Sequence, residues 1–206
     1  MSKMLLYCTK AKPYLVKGLA KPNHTLDASN PYNFNWKLVK KGFSNDRLNG
    51  KIVAECDFKV EKIRKGWGSL NGTRYFRNSV NHYYPDYELE KQSCLSFDEI
   101  NNYLKGALNE NCGYAIHIQN LHIFDKPKEL SDYHISYFNK ELGMMREHHI
   151  EKAPQNMCKV FNEKNNYILI SIRPKWLCKI LNGEKTIEVR KKVLKEMLGI
   201  VPLQNY

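Results

Sequence analysis

The segment from Tyr167 to Lys192 constrains the fold of this chain most, because its pattern predicts a strand, a helix, a turn and a second strand in direct succession. The first strand is predicted over Tyr167–Ser171. The helix that follows has Pro174 at its first position, where the missing N–H costs nothing, and Gly183 just past its end. The second strand, predicted over Thr186–Arg190, completes a compact strand–helix–strand segment.

The second of these strands carries charge on one face. Its apolar residues, Ile187 and Val189, point to one side. The other side is polar and comprises Thr186, Glu188 and Arg190, with Lys185 directly before the strand. An acid beside bases that turn toward a protein interior must be paired or must meet a ligand. The pattern therefore predicts either a binding site here or an internal ion pair that fixes the strand.

The same segment resembles the opening of an ASCH domain, a small PUA-like family whose signature is a strand, a helix and then G-x-K-T-x-E-x-R. The signature is complete in Gly183, Lys185, Thr186, Glu188 and Arg190. Further blocks resemble phage-type members of the family: Leu5 to Leu15, Asn49 to Phe58, Tyr114 to Leu130 and Ala153 to Val160. The resemblance implies an α+β fold, a mixed β-pseudobarrel of about six strands with two or three peripheral helices, in a protein of phage or prophage origin.

The order of these blocks departs from the family, because its opening strand and helix come last here. The resemblance therefore implies a circularly permuted domain spanning residues 1–206, in which residues 167–192 supply the opening elements and residues 1–160 the later strands. A tandem duplication that lost the start of one copy and the end of the other is one alternative. The other is a homodimer in which the C-terminal hairpin completes the neighbouring chain's barrel.

The charge balance favours a polyanionic partner. The chain has 33 Lys+Arg against 21 Asp+Glu, a net charge of +12, as is typical of nucleic-acid-binding proteins, although AT-rich coding also yields lysine-rich surfaces. Residues 62–87 interleave basic and aromatic side chains between glycines, which predicts a loop that tracks phosphates and stacks bases. A hairpin covering the barrel's end and a protein-binding surface are the alternatives. The candidate RNA-binding residues in this loop are Arg64, Lys65, Trp67, Arg74 and Arg77.

The ASCH resemblance also implies a cleft that binds RNA or modified nucleosides beside the G-x-K-T-x-E-x-R strand. In this chain its residues would be Lys185, Glu188, Arg190, Arg173, Thr9 and Lys10. The two arginines suit a phosphate because each guanidinium presents a fork of donors, while Lys185 supplies a point charge. We expect alanine at Lys185 or Arg190 to weaken RNA binding while leaving the fold intact.

Catalysis is the alternative to plain binding. Some bacterial relatives hydrolyse N4-acetylcytidine with a lysine and a threonine three residues later; Lys185 matches the lysine, but Glu188 stands at the second position. Ribonuclease chemistry by Lys185, Glu188 and His117 is a further hypothesis. A hypothesis from a different class is a phage protein that inhibits a host defence nuclease complex by binding it. We expect RNA binding without turnover.

Patterning elsewhere predicts the remaining elements. Strands are expected over Met4–Thr9, Lys51–Phe58, Tyr114–Phe124 and Met157–Phe161, a helix with a Ser96–Glu99 capping box over Ser96–Gly106, and a helix over Leu130–Tyr137. Six scattered cysteines without a C-x-x-C pair predict reduced thiols in a cytoplasmic protein, with neither a metal nor a cofactor. No segment is apolar enough for a membrane span or a signal peptide.

Overall fold

The computed structural model describes residues 3–9, 50–67, 73–77, 87–105 and 112–198. Within these ranges the chain forms nine strands and three helices. The strands are β1 (Lys3–Cys8), β2 (Ile52–Trp67), β3 (Thr73–Arg77), β4 (Cys112–Lys128), β5 (His134–Asn139), β6 (Met144–His149), β7 (Met157–Phe161), β8 (Asn166–Ile172) and β9 (Ile187–Arg190). The helices are α1 (Tyr87–Ser93), α2 (Phe97–Leu104) and α3 (Pro174–Leu181).

The strands form a mixed sheet in the order β6-β5-β7-β8-β1-β2-β4-β9, with β3 paired to β2 beside this path. Strand β1 runs parallel to β8 and antiparallel to β2. The predicted α+β class is therefore confirmed. In the described ranges, however, the sheet runs from β6 at one end to β9 at the other and does not close into a barrel. It also has more than the six or so strands expected, because β3 and the β5–β6 pair extend it.

The chain divides into two compact units, and the first comprises Met1–Cys56 and Leu121–Asn182. Its central strands β1 and β8 are buried along almost their whole length, as expected of parallel strands covered on both faces. One core cluster of this unit consists of Leu5, Tyr7, Ile52, Phe124, Tyr133, Ile150, Val160, Tyr167 and Leu169. Helix α3 starts with Pro174 at its first turn, as predicted.

The helix predicted over Leu130–Tyr137 is wrong. A single 3₁₀ turn covers Leu130–Asp132, and strand β5 then pairs antiparallel with β6 through a turn that contains Gly143 at φ +62°. Alternating residues such as Ile135 and Tyr137 suit a pleated strand, and a partner strand only a few residues further along the chain decides the outcome. Such tertiary pairing routinely overrides a local helical pattern.

The second unit comprises Asp57–Asn120 and Gly183–Tyr206. Its helices α1 and α2 pack on one face of its strands, in a cluster of Ile63, Leu89, Phe97, Ile100, Leu104, Ala115, Ile187 and Val189. Helix α2 starts with the predicted capping box, in which the Glu99 N–H donates to Ser96 Oγ at 3.2 Å and the Ser96 N–H donates to the Glu99 carboxylate at 2.8 Å. The predicted alternation of β9 is confirmed, because Ile187 and Val189 both lie in this helix-covered cluster.

Residues 62–87 are not one loop. Lys62 to Trp67 continue strand β2, and Thr73–Arg77 form β3, which pairs antiparallel with it. Helix α1, which the sequence patterns did not predict, begins at Tyr87. The segment was predicted to be either a loop or a hairpin, and its described part is a hairpin.

Candidate functional site

The C-terminal end of α1 is the feature from which the candidate site is built. The last carbonyls of a helix have no partner within the helix and must be satisfied from outside it. The Cys94 N–H donates to the carbonyl of Lys91, and the Leu95 N–H donates to the carbonyl of Glu90, both at 3.3 Å. Cys94 has φ +53°. This is a Schellman motif with cysteine at the left-handed position that glycine usually occupies.

The two remaining carbonyls of α1 are satisfied by the residues that precede β9. The Thr186 N–H donates to the carbonyl of Gln92 at 2.9 Å, and Lys185 Nζ donates to the carbonyl of Ser93 at 2.6 Å. A cation at the C-terminus of a helix also interacts favourably with the helix dipole. The lysine and threonine of the G-x-K-T-x-E-x-R signature therefore cap α1.

Lys185, Glu188 and Arg190, named here the polar triad, form a continuous chain of charged contacts. Lys185 Nζ lies 3.3 Å from Glu188 Oε2, and Glu188 Oε1 lies 3.0 Å from Arg190 Nη2. The exposed fraction of the side chain is 1% for Lys185 and 11% for each of the other two. Of the predicted cleft residues, the structure thus brings these three together, and Glu188 bridges the two cations.

Burial is the main influence on the ionisation of Lys185. It lowers the pKa of the Lys185 ammonium below 10.5, and the positive charge of Arg190 adds to this lowering. The carboxylate of Glu188 opposes the shift through its charge and its hydrogen bond. Glu188 therefore opposes the loss of the proton that desolvation favours.

Tyr114 is a residue of this site that the sequence patterns did not single out. In the antiparallel pairing of β4 with β9, Tyr114 lies opposite Arg190 and Ile116 lies opposite Glu188. Residues directly opposite each other share a face of the sheet. Both Tyr114 and Arg190 are half-buried. Only the strand register places Tyr114 opposite Arg190, so no local sequence signal marks it.

The structure does not bring His117 to the polar triad. His117 lies opposite Ile187, on the face of the sheet that α1 and α2 cover, whereas Glu188 points to the other face. The His117 Nε2 atom is instead 2.7 Å from Glu61 Oε2. The register of β9 therefore places His117 and Glu188 on opposite faces of the sheet.

The other predicted cleft residues lie in the first unit or outside the described ranges. The Thr9 N–H donates to the carbonyl of Ile172 at 3.0 Å, and Arg173 is the exposed N-cap residue of α3. Of the residues predicted for the 62–87 loop, Arg64, in the second unit, is exposed on β2. Lys10 lies outside the described residues, as do the side chains of Lys65, Trp67, Arg74 and Arg77.

Comparison of the chain with protein-family models, with curated proteins and with solved structures finds no match. In the part of the chain that the structure describes, no three His, Cys, Asp or Glu side chains are grouped as metal ligands would be. None of the helices described is long and apolar enough to cross a membrane.

Proposed function

We propose that the protein binds RNA, with Arg190 and Tyr114 as the contact residues on the second unit. The observation that carries this proposal is the guanidinium of Arg190, held 3.0 Å from Glu188 and directly opposite Tyr114 in the sheet. A guanidinium that is already fixed loses little conformational entropy when it binds, and its planar fork matches a phosphate or a base edge. The neighbouring phenol ring offers a surface for an unpaired base.

The exposure of the triad assigns different roles to its members. The Arg190 side chain is 11% exposed and is the member through which a phosphate or base would be contacted, whereas Lys185, at 1%, has no surface to offer. Lys185 and Glu188 are therefore positioning residues: Lys185 fixes Glu188, and Glu188 orients Arg190. The net charge of +12 supplies the long-range attraction for a polyanion.

The test is a native gel of end-labelled single-stranded RNA with pure protein over a salt series, with a denaturing gel of the same samples. We expect a salt-sensitive shift with intact RNA. Arg190→Lys keeps the charge but loses the fork, and Tyr114→Leu loses the ring; each should weaken binding by about ten-fold. The control Lys164→Gln removes one exposed charge elsewhere and should change the affinity little.

Absence of a shift at low salt would refute RNA binding and would favour a protein target, such as a host defence nuclease complex. Shortened RNA on the denaturing gel would identify a ribonuclease, and its loss in Lys185→Met would assign the cleavage to this site.

A second candidate function is hydrolysis of a modified cytidine, which the lowered pKa of Lys185 beside Glu188 favours. A lysine that loses its proton more easily is a better base for activating water, but Lys185 is only 1% exposed, so this function requires the site to open before the lysine can reach a substrate. Incubation with N4-acetylcytidine, followed by chromatography of the products, tests this function. Formation of cytidine by the wild type, but not by Lys185→Met, would support it, and unchanged substrate would refute it.

A further inference from the structure

The hairpin of β5 and β6, in the first unit, concentrates exposed apolar side chains. Within the described ranges it meets β7 through one pair, His134 opposite Phe161. All six residues of β6 are exposed. Eight large hydrophobic residues are exposed in the part of the chain that the structure describes, and five of them lie in this hairpin: Tyr137, Phe138, Leu142, Met144 and Met145. Such a concentration marks an interaction surface.

The turn of the hairpin holds its two strands in a fixed shape. Asn139 Oδ1 accepts from the N–H groups of Glu141 and Leu142, at 3.0 Å and 3.1 Å. Gly143 then takes φ +62°, a conformation that glycine adopts at little cost. A surface whose shape is already fixed loses little conformational entropy when a partner binds to it.

Strand β6 is also an edge of the sheet, because it is the last strand at one end of the described order. The outer side of an edge strand presents a row of backbone N–H and C=O groups that another chain can pair with. An extended polypeptide matches this row, because it repeats its own donors and acceptors at the same spacing. Neither a nucleic acid nor a lipid does so. The backbone of β6 therefore favours a polypeptide partner, and the side chains determine which residues that partner needs.

Two opposite charges in the middle of β6 select the residues of the partner. Arg146 lies opposite Tyr137 of β5, and Glu147 lies opposite Ser136, so β5 places no counter-charge directly across from either. Arg146 and Glu147 point to opposite faces of the sheet because they are neighbours on one strand. On the outer side, an acid opposite Arg146 and a base opposite Glu147 would each form a favourable cross-strand pair.

A second copy of β6 cannot supply this complementarity. Two identical strands that pair antiparallel about a two-fold axis place residues of the same face opposite each other. Because Arg146 and Glu147 point to opposite faces, no such register puts one of them directly across from the other. The charges of β6 therefore favour a different polypeptide over a second copy of this chain.

From these features we propose that β6 is a docking edge for an extended segment of a partner protein, which adds to the sheet as an antiparallel strand. Apolar side chains of the segment lie opposite Met144 and Met145. An acid lies opposite Arg146, and a base lies opposite Glu147. Phe138, which is opposite Met145 in the hairpin, widens the apolar surface on that face. The proposal concerns the first unit and does not depend on RNA binding.

The probe that tests this proposal is the acetylated and amidated hexapeptide TKEVIT. Its antiparallel pairing puts the lysine opposite Glu147, the glutamate opposite Arg146 and the two apolar residues opposite the methionines. The matched control, TEKVIT, exchanges the two charges and keeps the composition. Each peptide is titrated into isotope-labelled full-length protein, and the amide NMR shifts are followed. We expect shifts at Met144–His149 and an affinity about five-fold higher for TKEVIT, because its two charge pairs are attractive rather than repulsive.

The charge-exchanged variant Arg146→Glu/Glu147→Arg provides the sharpest comparison. Both positions are exposed, and the net charge is unchanged. The variant should reverse the preference and bind TEKVIT about five-fold more tightly than TKEVIT. The matched control Lys140→Glu/Glu141→Lys exchanges two exposed charges in the turn of the same hairpin and should keep the wild-type preference.

Three results would overturn the proposal. The first is the absence of shifts in β6 at a peptide concentration of about 1 mM. The second is equal affinity of the wild type for the two peptides, or the same preference in Arg146→Glu/Glu147→Arg. The third is a set of shifts on the outer side of β5 instead of β6.

Other occupants of the edge are outcomes of the same measurements. A mass that doubles as the protein concentration rises, with the β6 amides shifted, would assign the edge to a second copy and overturn the proposal. Shifts of these amides by phosphatidylcholine vesicles or oligouridylate, but not by the peptides, would also overturn it. Peptide binding without RNA binding would refute the proposed function alone, whereas RNA binding without peptide binding would refute this inference alone.

Discussion

The ammonium group of Lys185 serves two partners that are themselves buried, the Glu188 carboxylate at 3.3 Å and the Ser93 carbonyl at 2.6 Å. Removing the ammonium would leave the Glu188 carboxylate with Arg190 as its remaining cation of the triad, and it would leave the Ser93 carbonyl at the end of α1 without the Lys185 donor. The cost of leaving buried polar groups unpaired exceeds the net gain from pairing them. The first role of Lys185 is therefore structural: it holds β9 and the end of α1 together within the second unit.

This position changes the expectation that alanine at Lys185 leaves the fold intact. Lys185→Ala should lower the free energy of unfolding by about 3 kcal/mol, the usual effect of breaking a buried ion pair. Lys185→Met should cost less because it fills the space of the aliphatic stem. Urea denaturation measures both, with Lys164→Ala as an exposed control. Wild-type stability in Lys185→Ala would show that the contacts of Lys185 are dispensable.

The lowered pKa of Lys185 predicts a pH dependence of stability. The unfolded chain titrates this lysine near 10.5, whereas the folded chain releases the proton at lower pH. Between those two values the unfolded state binds more protons, so stability rises with pH in that window. The free energy of unfolding of the wild type, relative to Lys185→Met, should increase as the pH rises toward 10.5. A difference that stays flat or falls would contradict the assigned direction.

Tyr133 is a second residue with a measurable consequence. Its ring lies edge-on to that of Tyr167, with centroids 5.7 Å apart, and its hydroxyl has no hydrogen-bond partner in the described part of the protein. Tyr133→Phe should leave stability unchanged or raise it by about 0.5–1 kcal/mol, because an unpaired buried hydroxyl is removed. Tyr167→Phe is the matched control, since the Tyr167 hydroxyl accepts from Asn165 Nδ2 at 3.3 Å. Thermal unfolding of both variants tests this prediction. A clearly lower stability of Tyr133→Phe would contradict it and would mean that the Tyr133 hydroxyl has a partner.

At the scale of elements, β9 is fixed at both ends by helices of the second unit. Lys185, before the strand, donates to the last carbonyl of α1, and Lys191, after it, donates to the Lys105 carbonyl at the end of α2 at 2.8 Å. Ile187 and Val189 pack under the same two helices. The orientation of the triad thus depends on the helices α1 and α2 as well as on the sheet.

The Schellman motif of α1 predicts the effect of a glycine at position 94. Cys94 adopts φ +53°, a conformation that costs most side chains about 1 kcal/mol or more and costs glycine little. Cys94→Gly should therefore raise the free energy of unfolding by about 1 kcal/mol in urea. Cys94→Ala retains the unfavourable Cβ and loses the contact of the thiol with the Glu184 carbonyl at 3.4 Å, so it should give no gain. A destabilised glycine variant would mean that the thiol contact outweighs the backbone cost.

At the scale of the whole molecule, strand β9 pairs with β4 of its own chain, from Tyr114 opposite Arg190 to His117 opposite Ile187. A swapped dimer would instead pair β9 with β4 of a neighbouring chain. We therefore expect light scattering after gel filtration to give the mass of one chain, 24.2 kDa. Twice that mass, lost when β9 is destabilised, would support the swapped arrangement. The circular permutation itself remains a prediction.

Local chemistry determined much of this protein from the sequence alone. The capping box at Ser96, the proline at the start of α3 and the alternation of Ile187 and Val189 each depend on residues within a few positions of one another. For that reason the α+β class, the helices α2 and α3 and the polar face of β9 could be predicted. The signature at Lys185, Glu188 and Arg190 was likewise visible as a cluster of charge.

Only the tertiary structure decided which contacts the charged residues Lys185, Glu188 and Arg190 make. The pairing of β4 with β9 places Tyr114 beside Arg190 and turns His117 to the opposite face, and the end of α1 makes Lys185 a cap. Strand β5 replaced a predicted helix because of its pairing with β6. In each case the deciding partner lies on another element, so its position depends on strand register and packing. A local sequence pattern does not contain that information, because it records periodicity within one element and not the contacts between elements.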